Sequence, residues 1–408
     1  MSKQKQIVIV ESSPTDMLAK ISIVLRRRGY KTILIYLSGN AETEFYKKAY
    51  DLTILFKGKF LKVTLKNIPK ICLYLIKKSP TIIKNLFLIK KLKPYLIIGR
   101  ANPNWLCFIF KNMFKNYPFV YFPYDIRSFV YGDLQEALKD NIPKFEINAE
   151  RYCFEKSHGI IHKGHEEELN FLDPNFFGRK VNIKAPILHF PPYCLNDLTC
   201  KINPNKLSKK DKEIHLILAG YMDIDDPSWC NLIKEILDQK IHMHFYGKTA
   251  NLSDEELDNR IGNSELRKLF NNKYLHLHRA VKQEELPNEI SKYDFGVIFY
   301  HPNNTKKNIT MCSANKLASY LEAGLPFICF KNYEYMTEIG KSYGIGISID
   351  SNNLKNLKTI LNELDYRKLI KNVEKARVDF EINNHIKRME AFFADTIKFK
   401  YSKQKKIF

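Results

Sequence analysis

The stretch SANKLASYLEAGLPFICF, residues 313–330, is the most regularly patterned part of this 408-residue chain. Gly324 stands where a helix ends in the left-handed conformation, and the apolar run FICF that follows is typical of a short buried strand. The pattern therefore predicts a helix, a tight turn and a strand, which is the repeating unit of a parallel α/β sheet. The apolar helix residues follow the i, i+3, i+4, i+7 spacing of a buried face: Ala314, Leu317, Ala318 and Leu321.

The polar residues of this predicted helix are regularly spaced as well. Ser313 is the predicted N-cap, and Lys316 lies in the first turn. Asn315, Ser319 and Glu322 follow one another at i, i+4 and i+7. Periodicity alone favours an amphipathic helix with a solvated polar face over a ligand site, so the choice depends on the rest of the chain.

Length and composition predict a globular protein of two domains. No segment reaches the roughly 18 uninterrupted apolar residues of a membrane-spanning helix. The start MSKQKQIVIV passes directly into a strand pattern and lacks the apolar core of a signal peptide. The eight cysteines form no CxxC pair and show no metal-ligand spacing. We therefore expect a reduced, cytoplasmic protein.

The net charge of +22 is concentrated between Leu52 and Tyr124, a segment without Asp or Glu that contains 13 Lys and Arg100. Its lysines alternate with Phe, Leu, Ile and Tyr. Three interpretations are open: an anionic membrane surface as partner, a solvated surface that reflects Lys-rich composition, or nucleic-acid binding. We favour the membrane surface, where apolar side chains enter the headgroup region and lysines add attraction. We expect no nucleic-acid partner, because no nucleic-acid-binding motif accompanies the charge.

Apolar runs alternate with helical stretches in both halves of the chain, which predicts two Rossmann-like domains with parallel sheets facing a central cleft. The first half contains QIVIV, KTILIYL, YDLTILF, PYLIIG, PFVYFPY and GIIHK, and the second EIHLILAG, IHMHFYG, YLHLH, YDFGVIFY, PFICF and GIGISI. We expect an acceptor and membrane-facing domain (1–185), a linker (186–212), a donor domain (213–375) and a final segment (376–408). That segment is expected to form a helix packing back toward the first domain, followed by a basic tail.

The second half resembles the donor domain of the two-Rossmann-domain (GT-B) glycosyltransferases, in particular the family-four-like sugar-nucleotide enzymes. The resemblance covers about residues 214–350 and rests on four pieces in the same order: IHLILAGYMD, IHMHFYGK, YLHLHRAVKQEELPNEISKYDFGVIFY and SANKLASYLEAGLPFICF. The first half resembles the family only in its α/β rhythm and in ERYCFEKSHGIIHKGHEEEL. The resemblance implies a hexosyltransferase-like enzyme that uses a nucleotide-sugar as donor substrate, without a metal or other cofactor.

The same resemblance gives the donor-site residues. The N-terminus of the predicted helix would bind the diphosphate through its N–H groups and dipole, helped by Ser313, Asn315 and Lys316. Ser319 stands where the family has a ribose-binding glutamate, and Met311 stands where the retaining branch has a second one. Glu322, one turn beyond Ser319, is a candidate replacement or a solvated residue. Three further donor-site candidates follow predicted strands: Gly220, Lys248 and His301.

In the first half, Asp125 is the candidate catalytic base, because it follows the apolar strand FVYF and is the first carboxylate after the acid-free segment. A capping role beside Arg127 is the alternative. Arg127 is a candidate for binding an acidic sugar or a phosphate of the acceptor. His162, at the end of another predicted strand, is a further acceptor-site candidate, and we expect no metal at the histidines around it.

These features predict a glycosyltransferase that moves a sugar from a nucleotide-activated donor to a lipid-linked or surface-polysaccharide acceptor. It would work as a peripheral protein on the cytoplasmic face of the cell membrane. Two alternatives remain open: a sugar-nucleotide epimerase, which shares the fold, and a non-catalytic subunit that docks a partner enzyme. The missing glutamates at positions 311 and 319 favour the second alternative.

Overall fold

A computed structural model describes residues 4–39, 41–56, 85, 87–89, 91–220, 227–247, 269–300 and 306–404. The chain divides into two compact units. The first contains Met1–Pro191, Lys306–Asn308 and Ile382–Phe408, and the second contains Pro192–Thr305 and Ile309–Glu381. Each unit is built on one sheet of parallel strands, so the expected pair of Rossmann-like domains is confirmed.

The first unit has a seven-stranded sheet in the order β3-β2-β1-β4-β5-β6-β7. Its central strands are buried on both faces, as expected of a parallel sheet covered by helices on either side. The strands are β1 (Gln6–Glu11), β2 (Lys31–Tyr36), β3 (Leu52–Leu55), β4 (Leu96–Arg100), β5 (Phe119–Phe122), β6 (Gly159–His162) and β7 (Ile187–His189).

The second unit has a six-stranded sheet in the order β10-β9-β8-β11-β12-β13. Strand β8 pairs with β9 from His215 opposite His242 to Ala219 opposite Tyr246. The strands are β8 (His215–Ala219), β9 (His242–Tyr246), β10 (Leu275–His278), β11 (Phe295–Ile298), β12 (Phe327–Phe330) and β13 (Gly346–Ile349).

Helices connect the strands in both units. Short 3₁₀ helices span Glu168–Phe171, Asn196–Leu198 and Ser351–Asn356. Within the described part of the chain, the α-helices are α1 (Asp16–Arg27), α2 (Glu44–Ala49), α3 (Asn104–Met113), α4 (Arg127–Tyr131), α5 (Leu134–Lys139), α6 (Lys144–Lys156), α7 (Pro174–Phe177), α8 (Ser208–Asp211), α9 (Pro227–Leu237), α10 (Leu286–Ile290), α11 (Lys307–Thr310), α12 (Asn315–Ala323), α13 (Glu334–Tyr343), α14 (Leu357–Asn362), α15 (Tyr366–Asp379) and α16 (Ile382–Gln404). Of the helices in the described ranges, none is both long and apolar enough to cross a membrane.

Helix α16 belongs to the first unit although it comes last in the chain. It packs on α1, where Arg28 forms an ion pair of 2.7 Å with Glu390. It also packs on β6, where Gly159 makes room for it: a Cβ at Gly159 would lie 2.4 Å from Thr396 Oγ1 and 2.7 Å from the ring of Phe392. The C-terminal helix therefore covers part of one face of the first sheet, at β6.

The structure divides the chain at a different place from the expected linker, 186–212. Residues Ile187–His189 form β7 of the first sheet, and the residues from Pro192 onward belong to the second unit. Around the patterned stretch, the buried stripe and the left-handed Gly324 are confirmed, with φ of 74° at the glycine. The predicted N-cap is wrong by one residue: Ala314 occupies it, and the buried Ser313 precedes it.

Candidate functional site

The order of the strands in the second sheet reverses between β8 and β11. Strands β9 and β10 follow on one side of β8, whereas β11, β12 and β13 follow on the other side. Ligands of such sheets bind beyond the carboxyl ends of the strands at this point. Gly220 follows β8 with φ of 125°, and its N–H donates to Tyr246 O at 2.8 Å. A Cβ on Gly247, which follows β9, would lie 2.3 Å from Gly220 O. Main chain therefore packs directly on main chain here, which leaves no room for a side chain at Gly247.

Helix α12 is fixed beside this point by one tyrosine. The Tyr320 hydroxyl donates to Val297 O at 2.8 Å and accepts the Ala219 N–H at 3.3 Å. Its ring lies on Gly296, where a Cβ would come within 2.4 Å of the ring carbons. Tyr320 is fully buried, and burial raises the pKa of its hydroxyl. Helix α12 is thus tied through its middle to β8 and β11, close to the carboxyl ends of these strands.

Lys316, in the first turn of α12, extends over the end of the sheet. Its Cε lies 3.4 Å from the position that a Cβ of Gly220 would take, and its Nζ lies 4.8 Å from the ring centroid of Tyr300. Tyr300 follows β11, and its N–H donates to Tyr333 Oη at 2.7 Å. The structure therefore brings together two predicted donor-site residues, Gly220 and Lys316, and adds Tyr300. A cation, an aromatic ring and closely packed main chain at a helix start are groups that can bind a diphosphate and a planar base.

The other residues predicted on α12 have different surroundings. Asn315 is exposed and Ser319 is half-buried, so both are accessible. Ser313 is fully buried, and its Oγ has no hydrogen-bond partner among the described residues. Glu322 is also fully buried, and its Oε1 accepts the N–H of Leu195 at 2.8 Å. That contact gives Glu322 a packing role within the unit, and we leave it out of the donor site.

Two predicted donor-site residues, Lys248 and His301, lie outside the described residues. The same is true of most of the lysines between Leu52 and Tyr124. The predictions made for them stay predictions.

In the first unit, charged residues collect at the carboxyl edge of the sheet. Glu11 ends β1, Arg100 ends β4 and Lys163 follows β6. The Arg100 guanidinium lies 3.9 Å, and the Lys163 ammonium 3.7 Å, from the ring centroid of Tyr124. Because the strand order reverses between β1 and β4, this cluster lies at the switch point of the first sheet. Two cations on one aromatic ring form a site suited to an anionic or sugar ligand.

Glu11 is the buried acid of this cluster. It is fully buried, and its Oε2 accepts the Thr15 hydroxyl at 2.6 Å. Burial raises the pKa of Glu11 to about 7, although Arg100 and the Thr15 hydrogen bonds act in the opposite direction. Its Oε1 and the Nε of Arg100 have no hydrogen-bond partner within the described part of the chain. A buried acid that titrates near neutral pH is typical of functional sites.

Asp125 and Arg127, the predicted base and acceptor-binding residue, lie next to this cluster in sequence. Asp125 is exposed and follows β5 after two intervening residues. Arg127 contacts Glu146 Oε1 at 3.5 Å, and its N–H donates to Glu150 Oε1 at 3.1 Å. The carboxylate that Arg127 contacts is therefore that of Glu146, and not that of Asp125 as in the alternative interpretation. Asp125 keeps the accessibility that a base requires.

His162, the third candidate in this unit, is buried at the end of β6. Its Nδ1 lies 2.8 Å from Glu168 Oε1, and its ring centroid lies 5.2 Å from that of His189. Burial lowers the pKa of His189 to about 4, with a further contribution from His162. Glu168 also accepts the Gly164 N–H at 3.0 Å. These contacts place His162 in a buried polar network with Glu168 and His189, directly before Lys163 in the sequence.

Sequence reasoning missed Glu11, Arg100, Lys163 and Tyr300. A signal was present, because QIVIVE, LIIGR and GIIHK are apolar strands that end in a charged residue. In a parallel sheet such residues meet at one edge. Which of them meet depends on the order of the strands, and that order cannot be read from any one strand.

Comparisons with known proteins agree with this architecture. Residues 236–390 match the model of the glucosyltransferase 3-like C-terminal domain. No curated protein matches the sequence. Among solved structures, sucrose-phosphate synthase from Thermosynechococcus elongatus superposes with a TM-score of 0.69 at 13% identity, covering 96% of this chain and 98% of that one. The Anabaena protein HepE in complex with UDP-glucose superposes with a TM-score of 0.62 at 12% identity, covering 95% and 99%. A glycosyltransferase from Rickettsia africae gives 0.60 at 13% identity, covering 97% and 99%. The chain therefore has the GT-B fold of two Rossmann-like domains, and a large part of its second half matches a glucosyltransferase domain family.

Proposed function

We propose that this protein is a glycosyltransferase that uses a nucleotide-activated sugar. The observation that carries the proposal is the cluster of Lys316, Gly220 and Tyr300 at the switch point of the second sheet. It lies where GT-B folds leave room for a nucleotide, and Lys316 falls within the part that matches the glucosyltransferase family model. Because HepE was solved with UDP-glucose, that compound is the first donor to test.

In the proposed donor site, the first turn of α12 faces the diphosphate. Helix N-termini bind phosphate through N–H groups that have no acceptor inside the helix. Lys316 adds a positive charge that balances the leaving diphosphate, and the exposed Asn315 adds a hydrogen-bond donor. The accessible Ser319 contacts a ribose hydroxyl. These groups neutralise the leaving group, so we propose hexosyl transfer without a metal ion in the donor site.

In the proposed acceptor site, Asp125 removes the proton of the acceptor hydroxyl. Its exposed carboxylate is accessible to a large acceptor. Arg100 and Lys163, on the ring of Tyr124, attract an acceptor that carries phosphate or an acidic sugar. We propose a lipid-linked or surface-polysaccharide acceptor at the cytoplasmic membrane face, because the basic segment Leu52–Tyr124 contains 14 cations and no acid of its own.

The donor site is tested by titrating the protein with UDP-glucose in a calorimeter. Lys316→Ala should weaken binding roughly 5- to 150-fold, which corresponds to the about 1–3 kcal/mol of a lost charged hydrogen bond. The matched control is Lys341→Ala, which removes an exposed lysine at the end of α13 and should leave the affinity unchanged. Equal affinities in the two variants would contradict the assignment of Lys316.

Activity measurements on the same protein then distinguish sugar transfer from epimerisation and from a non-catalytic role. Asp125→Asn should keep the UDP-glucose affinity and lower the transfer rate by a factor of about 10²–10⁴. Release of UDP that depends on an added acceptor indicates a transferase, whereas conversion of the sugar-nucleotide without an acceptor indicates an epimerase. A wild-type protein that binds no nucleoside diphosphate in a panel of bases would remove both enzyme functions.

A further inference from the structure

Five histidines lie on one face of the second sheet, and the proposed function does not use them. They come from three adjacent strands: His215 on β8, His242 and His244 on β9, and His276 and His278 on β10. Alternate residues of a strand point to the same face. The pairing of β8 with β9 and of β9 with β10 sets the five side chains side by side. The donor site lies at the carboxyl edge of this sheet, and the first pair, His215 and His242, lies at the opposite edge.

The imidazoles form two hydrogen-bonded chains. In one, His215 Nδ1 lies 2.9 Å from His244 Nε2, and His244 Nδ1 lies 2.9 Å from His278 Nε2. In the other, His242 Nδ1 lies 2.8 Å from His276 Nε2. The rings stack across the strands, with 4.3 Å between the centroids of His215 and His242.

Both chains end at one carboxylate. Asp211, the last residue of α8, places Oδ2 at 2.9 Å from His215 Nε2 and 3.9 Å from His242 Nε2. Its other oxygen, Oδ1, accepts the N–H of Glu213 at 3.0 Å. The carboxylate is therefore held in orientation by the main chain, and its side chain is 42% exposed while that of His215 is 5% exposed. Solvent therefore reaches the buried His215 and the partly exposed His242 from the side of Asp211.

We propose that Asp211, His215 and His242 bind one Zn²⁺ ion. Their donor atoms all lie within 4.8 Å of one another. Zinc bonds of about 2.0–2.2 Å to imidazole nitrogen and carboxylate oxygen bring such atoms to roughly 3.5 Å apart in a tetrahedral site. Small side-chain rotations close the difference. Two imidazoles and one carboxylate leave a fourth position for water, on the exposed side.

The imidazoles behind the ligands complete the site. A histidine that binds zinc through Nε2 carries its proton on Nδ1 and donates it to an acceptor, which fixes the ring. His244 Nε2 is the acceptor for His215, and His276 Nε2 is the acceptor for His242. Every link is nitrogen to nitrogen, so the protons can point toward Asp211 without zinc and away from it with zinc.

The site would hold together the beginnings of β8 and β9 and the short helix α8. Its expected effect is a stability that depends on zinc: an ion that binds only the folded chain raises the melting temperature as its concentration rises above Kd. The site lies at the edge opposite to the donor residues, so zinc should leave UDP-glucose affinity unchanged.

The test is zinc titration of the full-length apo-protein against a chromophoric chelator, with Zn²⁺ alone as the probe. We expect one tightly bound ion per chain in the wild type. Asp211→Asn and His242→Gln should each weaken zinc binding by tenfold or more. Glu213→Gln is the matched control, because it removes a carboxylate two residues away and should leave the affinity within twofold. Circular dichroism of each variant establishes that it is folded.

Co²⁺ in place of zinc gives a second measurement, since its visible absorption reports the ligands directly. The spectrum of a tetrahedral site with nitrogen and oxygen ligands should appear in the wild type and in Glu213→Gln and be absent from His242→Gln. The absence of stoichiometric zinc binding in the wild type would overturn the proposal. Unchanged binding in Asp211→Asn would overturn it as well, because the ion would then bind other residues.

Discussion

Glu11 shows how much a single buried side chain depends on its neighbours. It ends a strand whose other residues from Ile7 onward are buried and apolar. The Thr15 hydroxyl donates a hydrogen bond to it, and the Arg100 guanidinium lies nearby. Desolvation outweighs both, so the folded protein holds the proton more tightly than an unfolded chain does. Asp125, by contrast, is exposed to solvent. Burial of Glu11 therefore gives the folded and the unfolded chain different affinities for its proton.

This difference predicts a pH dependence of stability. The pKa of Glu11 rises from 4.5 to about 7 on folding, so its contribution is fully present below about pH 4.5 and is lost as the pH rises through 7. A shift of this size corresponds to about 3 kcal/mol. Glu11→Gln keeps the shape and removes the titration. Between pH 4.5 and 8, the free energy of unfolding of the wild type should fall by about that amount relative to the variant.

Urea denaturation at a series of pH values measures both proteins. Glu150, whose pKa is raised to about 8 by burial, titrates in both and cancels in the difference. Two curves that stay parallel from pH 4.5 to pH 8 would show that Glu11 is solvated in solution.

At the residue scale, the sequence could predict which residues belong to a site better than it could predict which residues pack against them. Lys316 and Gly220 were predicted as donor-site residues, and the structure brings them together. Glu322 was a candidate on the same helix spacing, but the helix turns that residue toward Leu195. Helical periodicity gives the angle of a side chain around the axis. It does not give what packs against that side.

At the scale of elements, the position of α12 depends on the hydroxyl of Tyr320. That hydroxyl bonds the ends of two strands, and the ring needs the glycine at position 296 beneath it. Tyr320→Phe keeps the ring and removes the contacts of the hydroxyl with Val297 O, Ile217 O and the Ala219 N–H. The Ala219 N–H loses that bond, and the free energy of unfolding should fall by about 1–3 kcal/mol.

The control for this variant is Tyr343→Phe at the end of α13, because Tyr343 is 38% exposed. Its effect should stay within about 0.5 kcal/mol, as for other surface substitutions. Urea denaturation compares the two. Equal losses would show that the hydroxyl of Tyr320 does not hold the helix.

The strands were the most predictable elements, because twelve apolar runs quoted from the sequence all correspond to strands. The exception is β7, a three-residue strand in APILHFPPY whose first residue, Ile187, is 48% exposed. Prolines on both sides and an exposed apolar residue hide it from a pattern based on burial. This strand forms because it hydrogen-bonds to β6, and such pairing between strands cannot be recognised from a local sequence pattern.

At the scale of the whole molecule, the charge is the property that leads to a prediction. Fourteen cations between Leu52 and Tyr124 without one acid should give a surface attracted to anionic lipid. In sedimentation with vesicles, the protein should bind anionic lipid and not neutral lipid. Binding should fall between 0.1 M and 1 M salt, as the Debye length shortens from about 10 Å to about 3 Å.

A variant with Lys77, Lys78, Lys90 and Lys91 changed to Glu should lose vesicle binding and keep UDP-glucose affinity. The control carries the same four changes at exposed lysines of the second unit, and it should still bind: Lys355, Lys368, Lys371 and Lys375. Equal binding of the wild type to both lipids, or equal losses in the two variants, would reject the membrane proposal.

The two-domain organisation and the parallel sheets could also be predicted from the sequence, and the GT-B resemblance came from four ordered motifs. The hydrogen-bonded pairs of imidazoles in the second sheet could not be predicted from the sequence. The strings HMH and HLH show histidines at alternate positions, but their meeting with His215 depends on three strands lying side by side in register. Such clusters follow from topology, which is a property of the whole chain.

The position of α16 has a consequence for how the protein is made. Most of the first unit precedes the second in the chain, yet the helix that covers its α1 and β6 starts at Ile382, about 190 residues after Pro191. A ribosome adds about 5–20 residues per second, so roughly 10–40 s pass between the two. Throughout that interval the surface that Phe392 later covers at Gly159 stays open. Of the two units, the one whose synthesis starts first is therefore completed after the other, and the nascent chain carries an uncovered apolar face while the second unit is being synthesised.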